Sequence, residues 1–200
     1  MLFDIVILPP LGVRRQLGRL VTTACRPYST VYVVDNTKLI PHVSLFHLNT
    51  ELRRLPALVV AVQAVLKELF PAKVNLISRG CIAWGDGPTL WFRRNDRLVA
   101  LNRQIVSVSA PIRTGLMPWL PKRKPTVAER SARRRYGVHY NIGARFRPHV
   151  TLAKLVHEHD ARLVASSLGK HHMSFPLREI AICQVNRGHQ VTRILKRFRV

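Results

Sequence analysis

The pentapeptide Pro-His-Val-Ser-Leu at residues 41–45 recurs as Pro-His-Val-Thr-Leu at residues 148–152, in the opposite half of the chain. Each copy lies in an apolar run that is typical of a β-strand, and residues i and i+2 of a strand point to the same face. The histidine of each copy therefore shares a face with the hydroxyl, while the valine and leucine point the other way, into a core.

The repeat predicts two sets of side chains that together can surround a phosphate group. His42 pairs with Ser44, and His149 pairs with Thr151. Histidine, with an ordinary pKa of about 6.5, can act as base or acid near neutral pH, and hydroxyls can donate to phosphoryl oxygens. The alternative, that these are merely satisfied polar residues on half-buried strands, holds for most single histidines. Because the loose pattern also occurs at His172, without the preceding proline, the in-register pairing is what favours function.

The balance of charge is the unusual feature of the composition. Lys and Arg number 33 against 10 Asp and Glu, which gives a net charge of +23 over 200 residues. Such an excess favours a polyanionic partner, because each phosphate that is neutralised releases condensed counterions; a generally basic solvated surface is the alternative. We expect RNA or nucleotides as partners, and no membrane partner, since no run of about 18 apolar residues is present.

The cysteines and the first residues bear on the compartment. Cys25, Cys81 and Cys183 are odd in number and widely spaced, so we expect buried thiols and neither disulfides nor a cysteine zinc site. Residues 1–10 have no basic leader and carry Asp4 within their apolar stretch, which indicates a first strand and not a signal peptide. We expect a cytoplasmic protein and a monomer.

Strand, helix and strand patterns recur in both halves, each with one copy of the motif, which predicts an approximate duplication in an α+β protein with two antiparallel sheets facing one another. Asp96 is the expected N-cap of the third helix. The predicted strands span residues 2–8, 30–34, 40–48, 74–83, 89–93, 147–156, 177–185 and 191–198, and the predicted helices span residues 11–25, 55–70, 96–108 and 160–168.

A basic loop at about residues 116–135 differs in character from the rest. It contains three prolines and two basic clusters, at residues 122–124 and 133–135, and leads into a short helix. We expect it to be the most mobile part of the chain. Its charges either follow an RNA backbone or form a solvated cluster.

Two further groups carry weaker signals. Tyr136, His139 and Tyr140 follow the arginine cluster and either stack on a base or pack the loop onto the body. Residues 157–159, His-Glu-His, suggest a metal but lack third and fourth ligands, so we expect no metal site. No glycine-rich phosphate loop is present, which disfavours an NTPase or an NAD enzyme.

The motifs at residues 42–45 and 149–152 resemble the signature of the two-histidine (2H) phosphoesterase superfamily, and most closely its branch of 2′-5′ RNA ligases and 2′,3′-cyclic phosphodiesterases. That signature is a pair of His-x-Ser/Thr-apolar motifs on strands about half a chain apart. The resemblance covers the whole chain and implies a single domain, residues 1–200. It also implies a bilobed fold of pseudo-twofold symmetry, with two antiparallel sheets facing a central cleft and helices on the outside.

The resemblance further implies chemistry on cyclic phosphates without metal or cofactor. It makes His149 the general base and His42 the general acid when a 2′,3′-cyclic phosphate is hydrolysed to a 2′-phosphate, with the roles reversed in ligation; the assignment can also be swapped. Ser44 and Thr151 would donate to the non-bridging oxygens.

Four more residues are candidates for substrate binding: Lys154, Arg147, Tyr136 and Tyr140. Many relatives carry a basic residue two positions after the second motif's leucine, where Lys154 stands. Strict alternation points Lys154 away from the motif histidine, so a role in the cleft requires a bulge or the end of the strand.

Three functions remain open at this point. The first is a phosphoesterase of RNA ends, hydrolysing 2′,3′-cyclic phosphates or forming 2′-5′ linkages. The second is a phosphodiesterase of small nucleotides, such as an ADP-ribose cyclic phosphate or a 2′-5′ oligonucleotide. The third is a basic RNA-binding protein without turnover.

Overall fold

The computed structural model describes residues 1–69, 74–119, 124–138, 140–169 and 171–200. The strands are β1 (Leu2–Ile7), β2 (Thr30–Val33), β3 (Val43–Asn49), β4 (Asn75–Trp84), β5 (Gly87–Phe92), β6 (His149–Thr151), β7 (Ala153–Leu155), β8 (Ser174–Pro176), β9 (Glu179–Val185) and β10 (Val191–Arg199). The helices are α1 (Leu11–Cys25), α2 (Leu55–Leu69), α3 (Asp96–Ser109), α4 (Val127–Tyr136) and α5 (Glu158–Leu168).

Two four-stranded antiparallel sheets carry the fold, and each has one motif strand at its edge. The strand orders are β10-β9-β1-β3 and β6-β5-β4-β8. The first motif lies at the start of β3 and the second in β6 and the residue after it. The α+β class with one motif per sheet confirms the fold predicted from the repeat.

Four of the five helices form two pairs that pack against these sheets. α1 packs with α5, which covers β4 and β5, whereas α2 packs with α3, which contacts β3. In α5, for example, Ala161, Val164 and Leu168 recur at helical spacing and are buried, so the apolar face of the helix lies against the sheet. Each sheet thus has its own helix pair, and the two motif strands contact each other.

A β-bulge interrupts the alternation of β3 directly after Ser44. Asp4 lies opposite His47 and Val6 opposite Ser44 in the pairing of β1 with β3, and the register shifts so that Leu45 is the extra residue. After a bulge, the side chains of a strand point to the faces opposite to those that simple alternation predicts. His47, which simple alternation places on the core side with Leu45, therefore lies on the same face as Ser44 and Asp4.

The predicted strand at residues 147–156 is divided in two at Leu152. The Leu152 N–H donates to the Pro88 carbonyl at 3.0 Å, while the Leu152 carbonyl accepts from the N–H of Val34 at 2.8 Å. β6 consequently pairs with β5, and β7 pairs with β2 in a separate two-stranded sheet. The prediction of one continuous strand was wrong because a single residue here hydrogen-bonds to two different neighbours.

The ends of two helices are set by side chains next to the predicted positions. Asn95, not Asp96, caps α3, since its side chain accepts from the N–H of Leu98 at 2.9 Å. Thr126 and Glu129 form a capping box that starts α4, so the basic segment is helical from residue 127. Residues 120–123 and 139, which include part of the predicted basic loop, lie outside the described residues.

Among the described residues, none of the helices has the length and apolar character needed to cross a membrane.

A buried asparagine on α3 connects the first motif strand to the loop before the second. The side chain of Asn102 is fully buried and donates to the carbonyls of Leu45, at 2.7 Å, and Asn141, at 3.4 Å. Its amide oxygen accepts from the Gly143 N–H at 3.0 Å. One side chain thus satisfies polar backbone groups of both segments in the interior.

Replacing Asn102 with Ala should lower the free energy of unfolding by about 2–3 kcal/mol, because buried donors and acceptors of the backbone lose their partners. Urea unfolding at equilibrium measures the change. Asn75→Ala is the matched control, since Asn75 is exposed on β4; it should change the free energy of unfolding by less than about 0.5 kcal/mol. Equal effects of the two substitutions would contradict the connecting role.

Candidate active site

The two motif strands contact each other beside a cavity of about 180 Å³. His42 and Ser44 line it from the first sheet, and His149 and Thr151 line it from the second. The structure therefore brings all four motif residues to one cavity, as their placement on strand faces predicts.

Both motif histidines are oriented by the same hydrogen bond. The Nδ1 atom of His42 lies 2.7 Å from the Ile40 carbonyl oxygen, and that of His149 lies 2.8 Å from the Arg147 carbonyl oxygen. Because a carbonyl oxygen only accepts, Nδ1 carries the hydrogen in both rings and Nε2 keeps the lone pair in the neutral form. The residue between each histidine and its carbonyl is the motif proline, whose fixed φ stiffens this short link.

Burial lowers the pKa of both rings. Loss of hydration is the main cause for His42, the Ile40 carbonyl opposes it, and the charge of His149 lowers the pKa further, to about 4. Burial also lowers the pKa of His149, against the hydrogen bond to Arg147. Both histidines are therefore neutral at pH 7 without a ligand, and a phosphate between them would favour protonation.

The two motif hydroxyls differ in their surroundings. Ser44 is buried, and its Oγ donates to Asp4 Oδ2 at 2.7 Å. Thr151 is half-buried, and no described residue forms a hydrogen bond with its hydroxyl. Thr151 is thus available to an incoming phosphoryl oxygen, while the Ser44 hydrogen is held by a carboxyl group.

A buried polar network lies behind His42. Asp4 Oδ2 is 3.6 Å from His42 Nε2 and 3.1 Å from His47 Nε2. The Tyr140 hydroxyl is 3.4 Å from His47 Nδ1 and also hydrogen-bonds to Nδ1 of His189. The cavity is therefore continuous with a chain of polar side chains, of which only Tyr140 is a site residue predicted from the sequence.

This network is held largely uncharged. Burial raises the pKa of Asp4 well above its ordinary 3.8, against hydrogen bonds from Ser44 and the Phe46 backbone. Burial lowers the pKa of His47 well below 6.5, and neighbouring histidines add to the effect. An aspartate within an apolar first strand was the sequence signal for this network. His47 gave no such signal, because its orientation depends on the bulge.

Aromatic rings border the second motif. The ring centroid of Trp91 is 5.0 Å from that of His149, and Trp84 is 5.4 Å from His149. Trp84 and Tyr32 both line the cavity, and Trp84 remains 54% exposed. An exposed indole at the edge of a polar cavity provides a face on which a base can stack.

The weaker candidates fall into different places. Lys154 and Tyr140 line the cavity, and Lys154 Nζ lies 3.5 Å from the Asp86 carboxylate; the break between β6 and β7 gives it this position. Arg147 contributes its backbone carbonyl to the second motif, and its side chain is exposed. Tyr136 lies in a separate groove, away from the cavity.

The His-Glu-His sequence at residues 157–159 is exposed at the start of α5. In the part of the chain that the structure describes, no group of three or more His, Cys, Asp or Glu side chains could hold a metal ion.

Replacing Asp4 with Asn should make the protein more stable, relative to the wild type, as the pH rises. A carboxyl whose native pKa is raised binds its proton more tightly in the folded chain than in the unfolded chain. The folded wild-type protein therefore loses stability as the pH rises above 3.8. The amide keeps the size and an acceptor for Ser44 but does not titrate. The difference in unfolding free energy, measured in urea from about pH 4 to about pH 8, should therefore grow with pH.

Asp35→Asn provides a control of opposite sign. Partial burial alone would raise the pKa of Asp35, but hydrogen bonds from Thr37 and its neighbours lower it. That carboxylate gains its stabilising effect as the pH rises to its ordinary pKa of 3.8 and keeps it above, so this variant should be less stable than the wild type by a nearly constant amount from about pH 4 to about pH 8. A difference for Asp4→Asn that does not depend on pH would contradict the raised pKa.

Comparisons with known proteins find similar folds among solved structures. Neither a protein-family model nor a curated protein matches the sequence. Solved structures do match over nearly the whole chain, at 12–16% identity. E. coli LigT complexed with 3′-AMP superposes with a TM-score of 0.58 at 16% identity, covering 99% of this chain and 97% of that chain. TT0787 of Thermus thermophilus superposes with a TM-score of 0.60 at 16% identity, covering 100% and 97%.

The MHV ns2 PDE domain superposes with a TM-score of 0.51 at 12% identity, covering 97% of each chain. These likenesses involve both sheets and both motif strands, since they extend over almost all of this chain. The chain has the fold of the two-histidine phosphoesterases.

Proposed function

We propose that the protein is a metal-independent phosphoesterase of RNA ends, which hydrolyses 2′,3′-cyclic phosphates to 2′-phosphates or reversibly forms 2′-5′ linkages. The observation that carries the proposal is the convergence of two His-hydroxyl pairs, one from each sheet, on a single cavity. The two histidines share one tautomer, set by equivalent hydrogen bonds. Equivalent nitrogens on two sides of a phosphate are suited to in-line displacement.

The proposed hydrolysis uses the two Nε2 atoms in different protonation states. Neutral His149 takes a proton from water as its oxygen attacks phosphorus, and protonated His42 gives a proton to the departing ribose 3′ oxygen. The negative phosphodiester favours the proton on His42, whose pKa is low without it. In ligation the two roles reverse.

The hydroxyls would stabilise the charge that develops on the non-bridging oxygens. Thr151 can donate directly. Ser44 can do so when Asp4, whose pKa burial raises, carries a proton and donates it to Ser44 Oγ. The hydrogen bond between them then runs in the opposite direction, and the Ser44 hydrogen becomes available to the phosphate.

The size of the cavity favours recognition of an end. About 180 Å³ is less than the 300–1,000 Å³ typical of sites that enclose a small molecule. It is suited to a cyclic phosphate and part of its ribose, with the base outside near Trp84. Lys154 and Tyr140, which also line the cavity, are the proposed polar contacts to the substrate.

A second candidate is a phosphodiesterase of small nucleotides. E. coli LigT, which shares the fold, has been crystallised with 3′-AMP, with ATP, with NADP+ and with phosphate. A site that accepts such ligands needs no long strand. The substrate test below separates this candidate from the first.

The His42→Ala and His149→Ala variants should each lower kcat for opening a 2′,3′-cyclic nucleotide by about 10²–10⁴-fold, because each removes a proton-transfer group. The double variant should lose about as much as either single one, since the two act in the same transition state. Product formation, followed by ³¹P NMR with and without EDTA, measures the effect, and EDTA should leave the wild-type rate unchanged.

His172→Ala is the matched control, because His172 belongs to the same loose motif but is exposed outside the cavity. Full activity in the double variant would refute the mechanism. Cyclic-ended RNA, cyclic mononucleotides and ADP-ribose cyclic phosphate are compared as substrates. Turnover of small nucleotides only would favour the second candidate, and RNA binding without any product would favour a protein that binds RNA without turnover.

Trp84→Ala should raise KM for cyclic nucleotides about tenfold with little change in kcat, because stacking of a base on an aromatic ring contributes about 1–3 kcal/mol. Steady-state kinetics measures both constants, and Trp84→Phe should restore most of the loss. Ile82→Ala, a substitution of another exposed apolar residue on the same strand, is the control. An unchanged KM in Trp84→Ala would exclude base stacking at this position.

A further inference from the structure

A second concave surface lies on the side of the molecule that carries α3 and α4. It is a groove of about 740 Å³. Three arginines from separate segments line it: Arg103 from α3, Arg113 just after the 3₁₀ turn at Ala110–Ile112, and Arg135 from α4. We call it the arginine groove.

Within the described ranges of the chain, no carboxylate neutralises the positive charges of the arginine groove. None of the described residues forms an ion pair with its three guanidinium groups. Arg113 donates to the carbonyl of Arg134 at 2.8 Å, and the guanidinium of Arg135 lies 5.2 Å from the ring centroid of Tyr136. Like charges held in one groove without carboxylates produce a local positive potential that attracts an anion with several charges.

One short stretch of chain contributes residues to both the arginine groove and the catalytic cavity. Tyr140 lines the cavity, whereas Ile142 and Gly143 line the groove. Consecutive Cα atoms are about 3.8 Å apart, so the Cα atoms of Tyr140 and Gly143 are at most about 11 Å apart. Asn102 holds this stretch by its hydrogen bond to the Gly143 N–H, which fixes the two surfaces relative to each other.

We propose that the arginine groove binds the sugar-phosphate backbone of a single RNA strand whose cyclic end occupies the catalytic cavity. The inference rests on the proposed function and assigns its substrate class as oligomeric RNA. The planar guanidinium matches phosphate oxygens in a bidentate manner, so arginines spaced along a groove suit successive phosphates. Tyr136, stacked with Arg135, provides an aromatic surface beside that path.

The test compares an oligonucleotide with a mononucleotide in one double variant. Arg103→Gln with Arg135→Gln should raise KM for a cyclic-ended RNA of about ten nucleotides roughly tenfold, and leave turnover of a 2′,3′-cyclic mononucleotide unchanged. The matched control is Arg19→Gln with Arg162→Gln. It removes the same charge from exposed positions on α1 and α5, and it should affect neither substrate.

Binding is measured separately with a labelled RNA that ends in a 2′-phosphate, by fluorescence anisotropy over a range of salt concentrations. The groove variant should lower the slope of log K against log salt by about 1.4, at about 0.7 for each lost phosphate contact to a single strand. This binding measurement needs no catalysis, so it tests the groove even when the protein turns over no cyclic substrate. Absence of turnover would refute only the proposed function.

Three results would overturn the inference. Equal losses in the control variant would show that the basic surface acts as a whole. Unchanged binding and KM for RNA in the groove variant would show that the strand lies elsewhere. The third result is that poly-glutamate binds the wild-type protein more tightly than the labelled RNA does and loses this binding in the groove variant. It would show that the groove binds an acidic protein.

Discussion

The hydrogen bond from each motif histidine to the carbonyl two residues before it constrains the rest of the site. It fixes the tautomer of His42 and His149, and therefore leaves Nε2 as the nitrogen that would exchange a proton in the proposed reaction. The motif proline stiffens the two-residue link that this bond closes. Both motif strands, β3 and β6, lie at the edges of their sheets. The proposed chemistry therefore depends on the contact between two sheet edges as well as on the side chains themselves.

The chain combines a strongly basic composition with a site that is almost neutral. Its net charge is +23, yet burial lowers the pKa of His42 and His149 and raises that of Asp4. A site held neutral by desolvation gains charge only when an anion enters, and its response to the anion is strong because the local dielectric is low. The excess positive charge lies instead at the surface, where it increases the rate of encounter with polyanions.

The repeat predicted the two sheets and the four motif residues because alternation along a strand is a local property. The network around Asp4 was not predictable in this way. His47 reaches it through a bulge, and a bulge depends on how two strands pair, which the residues of β3 do not reveal by themselves. Lys154 is a similar case, since its place in the cavity follows from a strand that changes its partner at Leu152. Local patterns thus predict which face of a strand is apolar. The pairing of strands in the tertiary structure decides where the alternation of side chains along a strand is interrupted.

The asymmetry between the two halves follows from these interruptions of the alternation. A duplicated motif would by itself give two equivalent hydroxyls, but the bulge brings Asp4 and His47 against the first half, and the aromatic rings of β4 and β5 lie against the second. Ser44 is therefore coupled to a titratable carboxyl, and Thr151 is not. Directional chemistry on a phosphate needs one side that gives a proton while the other takes it, and an environment that differs between the two sides lets equivalent motifs assume different roles.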